Sequence, residues 1–334
     1  MYSEEDLNSA VDAGVIDESS ATAFRNYVAD QRVTPDVDEE HFRLISGFND
    51  IFVVIAILLL LSSLMWIGHS QSLQVGITLQ VIASWGLAEF FTRKRRMALP
   101  SIVLLLTFVG GVLGFGITAL ADSGMSTELN IGIPSGLTAF AAWLHWQRFR
   151  VPITIAAGTA AVVSGCMMAL FALIPATRDW LAVMIFVAGL LVFAIAMRWD
   201  ISDIVRQTRR SDVAFWLHLI AAPLLVHPVF SALKVFDGDV SILQASAVGL
   251  LYVAVAIISI SIDRRAMMVS ALVYVLYAFN ALLEQYGVVS LGFALIAFSI
   301  GSGLLLLSAF WQTCRKALLP LYPVNITRLL PALR

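Results

Sequence analysis

Charge is what this chain has least of. Only 13% of its 334 residues are Asp, Glu, Lys or Arg, while 59% are hydrophobic. That balance excludes an ordinary water-soluble domain and points to a polytopic membrane protein. Cysteine is nearly absent. Cys166 lies mid-segment and Cys314 follows the last apolar segment, so no disulfide framework is expected. The opening Met1-Tyr2-Ser3-Glu4-Glu5-Asp6 lacks the basic region of a cleavable leader, so the first apolar segment is expected to remain as a helix. Catalytic signatures are missing too: there is no GxxxxGK(S/T) loop, HExxH, CxxC or GxSxG. An enzyme is therefore not expected, nor a cofactor, a bound metal or a nucleic-acid partner.

What is present is a series of apolar segments near the roughly 20 residues that span a bilayer as a helix. Ten are expected, at 48–68, 73–91, 98–120, 129–147, 151–174, 180–197, 213–235, 241–262, 267–286 and 288–311. The sparse basic residues set their orientation. With the N-terminus inside, 19 of the 21 Lys and Arg fall on the cytosolic side, and only Arg178 and Lys234 fall opposite. That split predicts an all-α integral membrane protein with both termini cytosolic. Its expected divisions are 1–40, a cytosolic acidic helical hairpin and linker; 41–312, the ten-helix domain; and 313–334, a proline-broken tail along the cytosolic membrane surface.

The net charge of −2 conceals an asymmetry. Residues 1–47 hold eleven acids against Arg25, Arg32 and Arg43, a balance of −8, leaving +6 for the rest. Ser3 and Asp17 read as helix N-caps and Gly14 as the residue closing the first helix. A hairpin this small has too little core to stand alone. It is expected to dock, on the membrane domain or on another membrane protein.

The segment 213–235 is the least regular. It carries His218, His227, Pro223 and Pro228. Ionisable groups in a membrane are costly and face a bundle interior or a cavity. Each proline removes a backbone donor, freeing the carbonyls of Leu219 and Leu224, so Pro223 and Pro228 are expected to break this helix. Ser211 is its expected N-cap. His218 reads as a satisfied core histidine or as a proton-linked site. His227 lies half a turn out of phase with it, so a shared metal site is not expected. Glu284 could pair with Lys234 or His227. Asp50 reads either as a cavity carboxylate or as an interfacial residue favoured in a helix's first turn. Glu89 precedes Arg93 by one turn and is expected to pair with it. His145, between Trp143 and Trp146, is expected at the interface. The run Gly110 to Gly116 reads as a surface for close helix packing.

The hairpin sequence Ala13-Gly14-Val15-Ile16-Asp17 before a ten-helix region resembles the prokaryotic membrane proteins grouped as domain of unknown function 2157. Asp212 to Pro228, followed by Asp263-Arg264-Arg265-Ala266, resembles related proteobacterial proteins. The resemblance implies a bacterial inner membrane and brings no active site. Two functions remain open. One is a proton-linked small-solute transporter with its site at the 213–235 helix. The other is a structural, sensory or assembly subunit that binds membrane partners through residues 1–40, beside the lipid bilayer that either would contact.

Overall fold

The computed structural model describes residues 4–24, 48–204, 206, 208–234, 241–285, 292–327 and 329–331. Every regular element among the described residues is helical. The chain divides into two compact units, Met1–His41 and Phe42–Arg334.

In the first unit α1 spans Glu4–Asp12. Gly14 follows at φ +68°, the left-handed conformation that closes a helix and suits glycine. The described part of α2 is 18–24. Asp17 caps it, accepting from the Ser20 amide at 3.2 Å and from the Ser19 hydroxyl at 2.6 Å. The Ser19 hydroxyl, foremost, holds this carboxyl below its usual range. The cap is therefore in place above the ordinary carboxylate pKa and is lost as pH falls through the lowered one. Ser3, residues 25–32 of the expected second helix and the linker lie outside the described residues.

In the second unit ten long helices fall close to the ten apolar segments. They are α3 (Phe48–His69), α4 (Leu73–Ala88, continued by a π-turn over Glu89–Lys94), α5 (Ala98–Leu120), α6 (Thr127–Phe149), α7 (Ile153–Leu173), α8 (Leu181–Ile201), α9 (Arg209–Ala232), α10 (Ile242–Ile262), α11 (Ala266–Gln285) and α12 (Gly292–Ala309). Two short helices follow, α13 (Trp311–Leu318) and α14 (Val324–Thr327). Among the described residues seven of the ten are long and apolar enough to cross a membrane: α3, α4 with its π-turn, α5, α7, α8, α9 and α10. Trp66, Leu243 and Leu250 are each more than 70% exposed. An apolar exterior of this kind fits contact with lipid.

Between apolar helices in lipid no hydrophobic drive remains, so close packing and buried hydroxyls must hold them. A methyl group built on Gly68 would lie 2.5 Å from Gly76 Cα, which brings α3 onto α4. In the α5 glycine run, a methyl on Gly111 would meet Val81 at 2.5 Å and one on Gly116 would meet Pro134 at 2.7 Å. Hydroxyl pairs join Ser84 to Thr107 at 3.0 Å and Ser135 to Ser164 at 3.1 Å.

α9 is the innermost helix among the seven. More than half of its most apolar window is buried, against a third or less in the others. It packs on α8, α11 and α7. It also runs unbroken through Pro223 and Pro228, so the expected helix break is not seen. Each proline costs the helix a backbone bond. The surrounding contacts of Leu217, Ala221, Ala222 and Val226, all buried, hold it together. Its N-cap is Thr208, whose hydroxyl accepts from the Arg210 amide at 3.2 Å, and not the expected Ser211. The tail does not simply lie along a surface. Leu319 and Leu330 are buried in one cluster with Ala222, Leu225 and Ile262.

The α8–α9 contact is tightest at Gly189, where an added methyl would stand 2.9 Å from the Leu224 backbone. Gly189→Ala should destabilise the protein by about 1–3 kcal/mol through overpacking. Gly110→Ala meets nothing within 4 Å and should be neutral or stabilising by about 0.5–1 kcal/mol. Thermal unfolding in detergent distinguishes them, and equal midpoints would refute the close contact.

Candidate functional site: a buried Asp–His–Arg cluster

The polar centre lies where the ends of α8 and α10 meet the first turns of α9. Asp200, in the last turn of α8, is 4% exposed. Its Oδ2 bonds His218 Nε2 at 2.8 Å. Arg264, in the turn between α10 and α11, donates from Nη2 to Asp200 Oδ1 at 2.5 Å and from Nε to Oδ2 at 3.3 Å. The same Nη2 reaches the Ser211 carbonyl at 3.1 Å and its hydroxyl at 3.2 Å. Asp200, Arg264 and His218 are all buried, and His218 is fully so. A bidentate arginine is the partner that can keep a carboxylate ionised away from water.

His218 is the unusual member. Because Asp200 accepts from Nε2, the neutral ring carries its proton there, and Nδ1 is the basic nitrogen. Nδ1 is buried and has no hydrogen-bond partner among the described residues. The Phe193 ring stands edge-on at 5.3 Å. A buried acceptor left unbonded costs about 1–3 kcal/mol. Chemically, this is an imidazole oriented by a carboxylate with its second nitrogen poised to take a proton.

A second network begins one residue earlier in the chain. Asp263 ends α10 in the left-handed conformation, φ +57°, which Asp tolerates better than most residues. Its carboxylate takes Arg206 Nη1 at 2.7 Å, Trp311 Nε1 at 2.7 Å and Arg315 at 3.4 Å. Arg206 also donates to the carbonyls of Asp263 and Ile262 at 3.1 and 3.0 Å, satisfying the open end of α10. Arg315 is fully buried and donates to the Pro331 carbonyl at 2.8 Å. Neighbouring residues thus tie two partner sets: Arg264 holds α8 and α9, and Asp263 holds the α8–α9 linker and the tail.

The residues expected from sequence do not form one site. His218 belongs to the cluster. His227 is exposed on another face, and its Nδ1 bonds the Tyr274 hydroxyl. The backbone of Glu284 lies in α11, and its side chain is outside the described residues. Asp50 lies in the first turn of α3, as expected, and is 2% exposed. Glu89 pairs with Arg93 at 3.3 Å as expected, and also takes Arg148 at 2.7 and 3.0 Å from the far end of α6. That occupies the carboxylate. His145 is buried, with Nδ1 3.2 Å from the Thr154 hydroxyl and the rings of Trp85, Phe108 and Phe149 around it. No group of three metal-ligating side chains occurs among the described residues.

Sequence reading missed Asp200, Arg206, Asp263, Arg264 and Arg315 as partners. Each sits at a segment end, where a charge reads as solvated. One signal was available: Asp200 and Asp263 are acids set beside basic residues at segment ends.

Removing one member of a buried pair strands the other. Asp200→Asn should therefore cost about 3–5 kcal/mol, and Asp200→Asn with Arg264→Gln markedly less than the sum of the single changes. Unfolding in detergent of the single and double variants checks this, and additive losses would show that the two groups do not depend on one another. No protein-family model, curated protein or solved structure matches this chain.

Proposed function

We propose that the chain is a bacterial inner-membrane carrier in which the Asp200–His218 pair takes up and releases a proton as a small solute moves. The observation that carries this reading is the fully buried His218, whose Nε2 is fixed by a carboxylate while Nδ1 has no hydrogen-bond partner among the described residues. Protonation at Nδ1 would place a second cation on Asp200, already held by Arg264. The charged groups that bear on the ring are Asp200, Arg264 and Arg206 from the neighbouring elements, and Asp212 of α9 interacts electrostatically with Arg264. With Asp200 and Arg264 balanced, the added proton leaves an uncompensated buried charge. Such a charge is costly and favours a state in which water reaches the site. That difference between protonated and neutral states is what a proton-linked conformational change requires.

The reading includes ten crossings with both termini in the cytosol. The 19-to-2 division of basic residues supports it. So do the charges that make α6 less apolar. Glu128 lies in its first turn, bonded to Arg178, and Arg148 in its last, bonded to Glu89. Paired charges at the two ends leave an apolar middle. The resemblance to uncharacterised bacterial membrane proteins is part of the same proposal.

A second reading draws on the separate acidic unit Met1–His41, which would recruit membrane partners. Deleting residues 1–40 should then abolish partner recovery, and unchanged recovery would remove this role.

The test of the first reading is water access. With Cys166 and Cys314 replaced, His218→Cys should react in membranes with a charged thiol reagent from one side. His227→Cys reports the outer end of the same helix. Silence at 218 in a folded protein would make His218 a packed core residue and leave the assembly role as the better account.

A further inference from the structure

We propose that the groove between α3 and α4 binds the head of a lipid quinone, an uncharged ring with two carbonyl oxygens that dissolves in the bilayer. The inference rests on neither proton movement at His218 nor transport. A cavity of about 310 Å³ lies between the two helices, with Thr107 of α5 also in its wall. That is within the about 300–1,000 Å³ of small-molecule sites. Its flank is open: Leu58 is 44% and Trp66 80% exposed. A ligand dissolved in the bilayer enters from that side and leaves its tail in the lipid.

The polar groups of the groove select the ligand. Ser62 and Gln80 both line it. Each lies seven residues from the end of its helix, His69 for α3 and Leu73 for α4, so both stand about 10 Å inside those ends. Neither side chain makes a hydrogen bond among the described residues. Their neighbours behave differently. Ser63 returns its hydroxyl to the Leu59 carbonyl, Thr78 to that of Gln74 and Ser84 to that of Gln80, each at 2.7 Å. The Thr107 hydroxyl is also taken, by the carbonyls of Val103 and Leu104 and by Ser84. An amide and a hydroxyl left open at that depth are costly, because lipid offers them nothing. The ligand therefore supplies an acceptor for each. It carries no charge, since none of the lining residues is Asp, Glu, Lys or Arg. A phospholipid does not fit, because its ester carbonyls could reach these donors only by drawing the phosphate into hydrocarbon. Two donors from neighbouring helices match the two carbonyls of a quinone, and Trp66 adds an aromatic wall for its ring.

The test uses the full chain in lipid nanodiscs, photolabelled with an azido-ubiquinone and mapped by peptide mass spectrometry. Label should fall within 58–80. Decylubiquinone should displace it. Geranylgeraniol, a chain ending in one hydroxyl, and added phosphatidylglycerol should not. Gln80→Leu should raise the decylubiquinone concentration needed about tenfold, the effect of one buried hydrogen bond, and Ser62→Ala should raise it in the same direction. Neither change should lower the thermal midpoint, since these side chains bond nothing within the described protein. A structural role for Gln80 would instead lower the midpoint of Gln80→Leu and leave displacement as in wild type. That result overturns the proposal, as does label outside 58–80 or equal displacement by geranylgeraniol or phosphatidylglycerol. If Gln80→Leu does not fold, Ser62→Ala decides: displacement like wild type sinks the site.

Discussion

The corner where α8, α9, α10 and α11 meet depends on one ion pair, Asp200 with Arg264. Both side chains are 3% exposed. Neither could stay charged at that depth without the other. Around the pair the remaining polar groups fall into place: Arg264 draws in both oxygens of Ser211, and Asp200 fixes the His218 ring. In a bilayer, where apolar contact between helices gains nothing over contact with lipid, such bonds specify which helices are neighbours. The pair does for this half of the bundle what glycine contacts and hydroxyl pairs do for α3 to α7.

The backbone makes this possible by turning sharply at the end of α10. Asp263 in the left-handed conformation ends the helix, and the next residue leaves in a different direction. The Arg264 amide bonds back to the Ser259 carbonyl at 2.9 Å, and the Ser259 hydroxyl bonds the Arg264 carbonyl. Consecutive side chains therefore serve opposite partners. Arg264 goes into the bundle, and Asp263 goes to Arg206, Trp311 and Arg315. Any movement of α9 that disturbs Asp200 is linked through one peptide to the anchoring of the tail. The tail is not decoration on this corner, since Arg315 is buried within it and Leu319 and Leu330 pack with Ala222 and Leu225.

Much of the fold was legible because the bilayer permits few backbones. An apolar stretch of the right length must be a helix, and among the described residues the apolar segments are helical, seven of them long and apolar enough to cross. The prominence of α9 was legible too, since histidine and proline in an apolar segment need protein around them. The partners were not legible. Asp200, Arg206 and Arg264 sit at helix ends, and no periodicity says whether such a residue points to water or turns inward. Arg148 reaches Glu89 across 59 positions, a pairing fixed by helix packing rather than by local spacing. The burial of His145 was hidden for the same reason: its face of α6 turns toward α4, α5 and α7.

The two prolines of α9 make sense in this setting. Pro228 removes the donor that would have bonded the Leu224 carbonyl, and Leu224 is the residue against which Gly189 packs most closely. The most buried of the crossing helices thus has its hydrogen-bond ladder weakened at the point where α8 leans on it. A rigid α9 would need the whole helix to move if His218 changed its charge. A ladder thinned at Pro223 and Pro228 lets the half bearing His218 shift while the half bearing His227 stays on Tyr274. On the proton-linked reading, the prolines set where α9 yields, and the Asp200 bond sets when. On a purely structural reading the same helix would gain from fewer prolines and from a partner on His218 Nδ1, and among the described residues Nδ1 has none. Local rules are broken elsewhere too: Pro134 lies inside α6, and His145 Nε2 is buried with no hydrogen-bond partner among the described residues. What sets α9 apart is that two prolines, an unbonded nitrogen and the buried pair meet on or against a single helix.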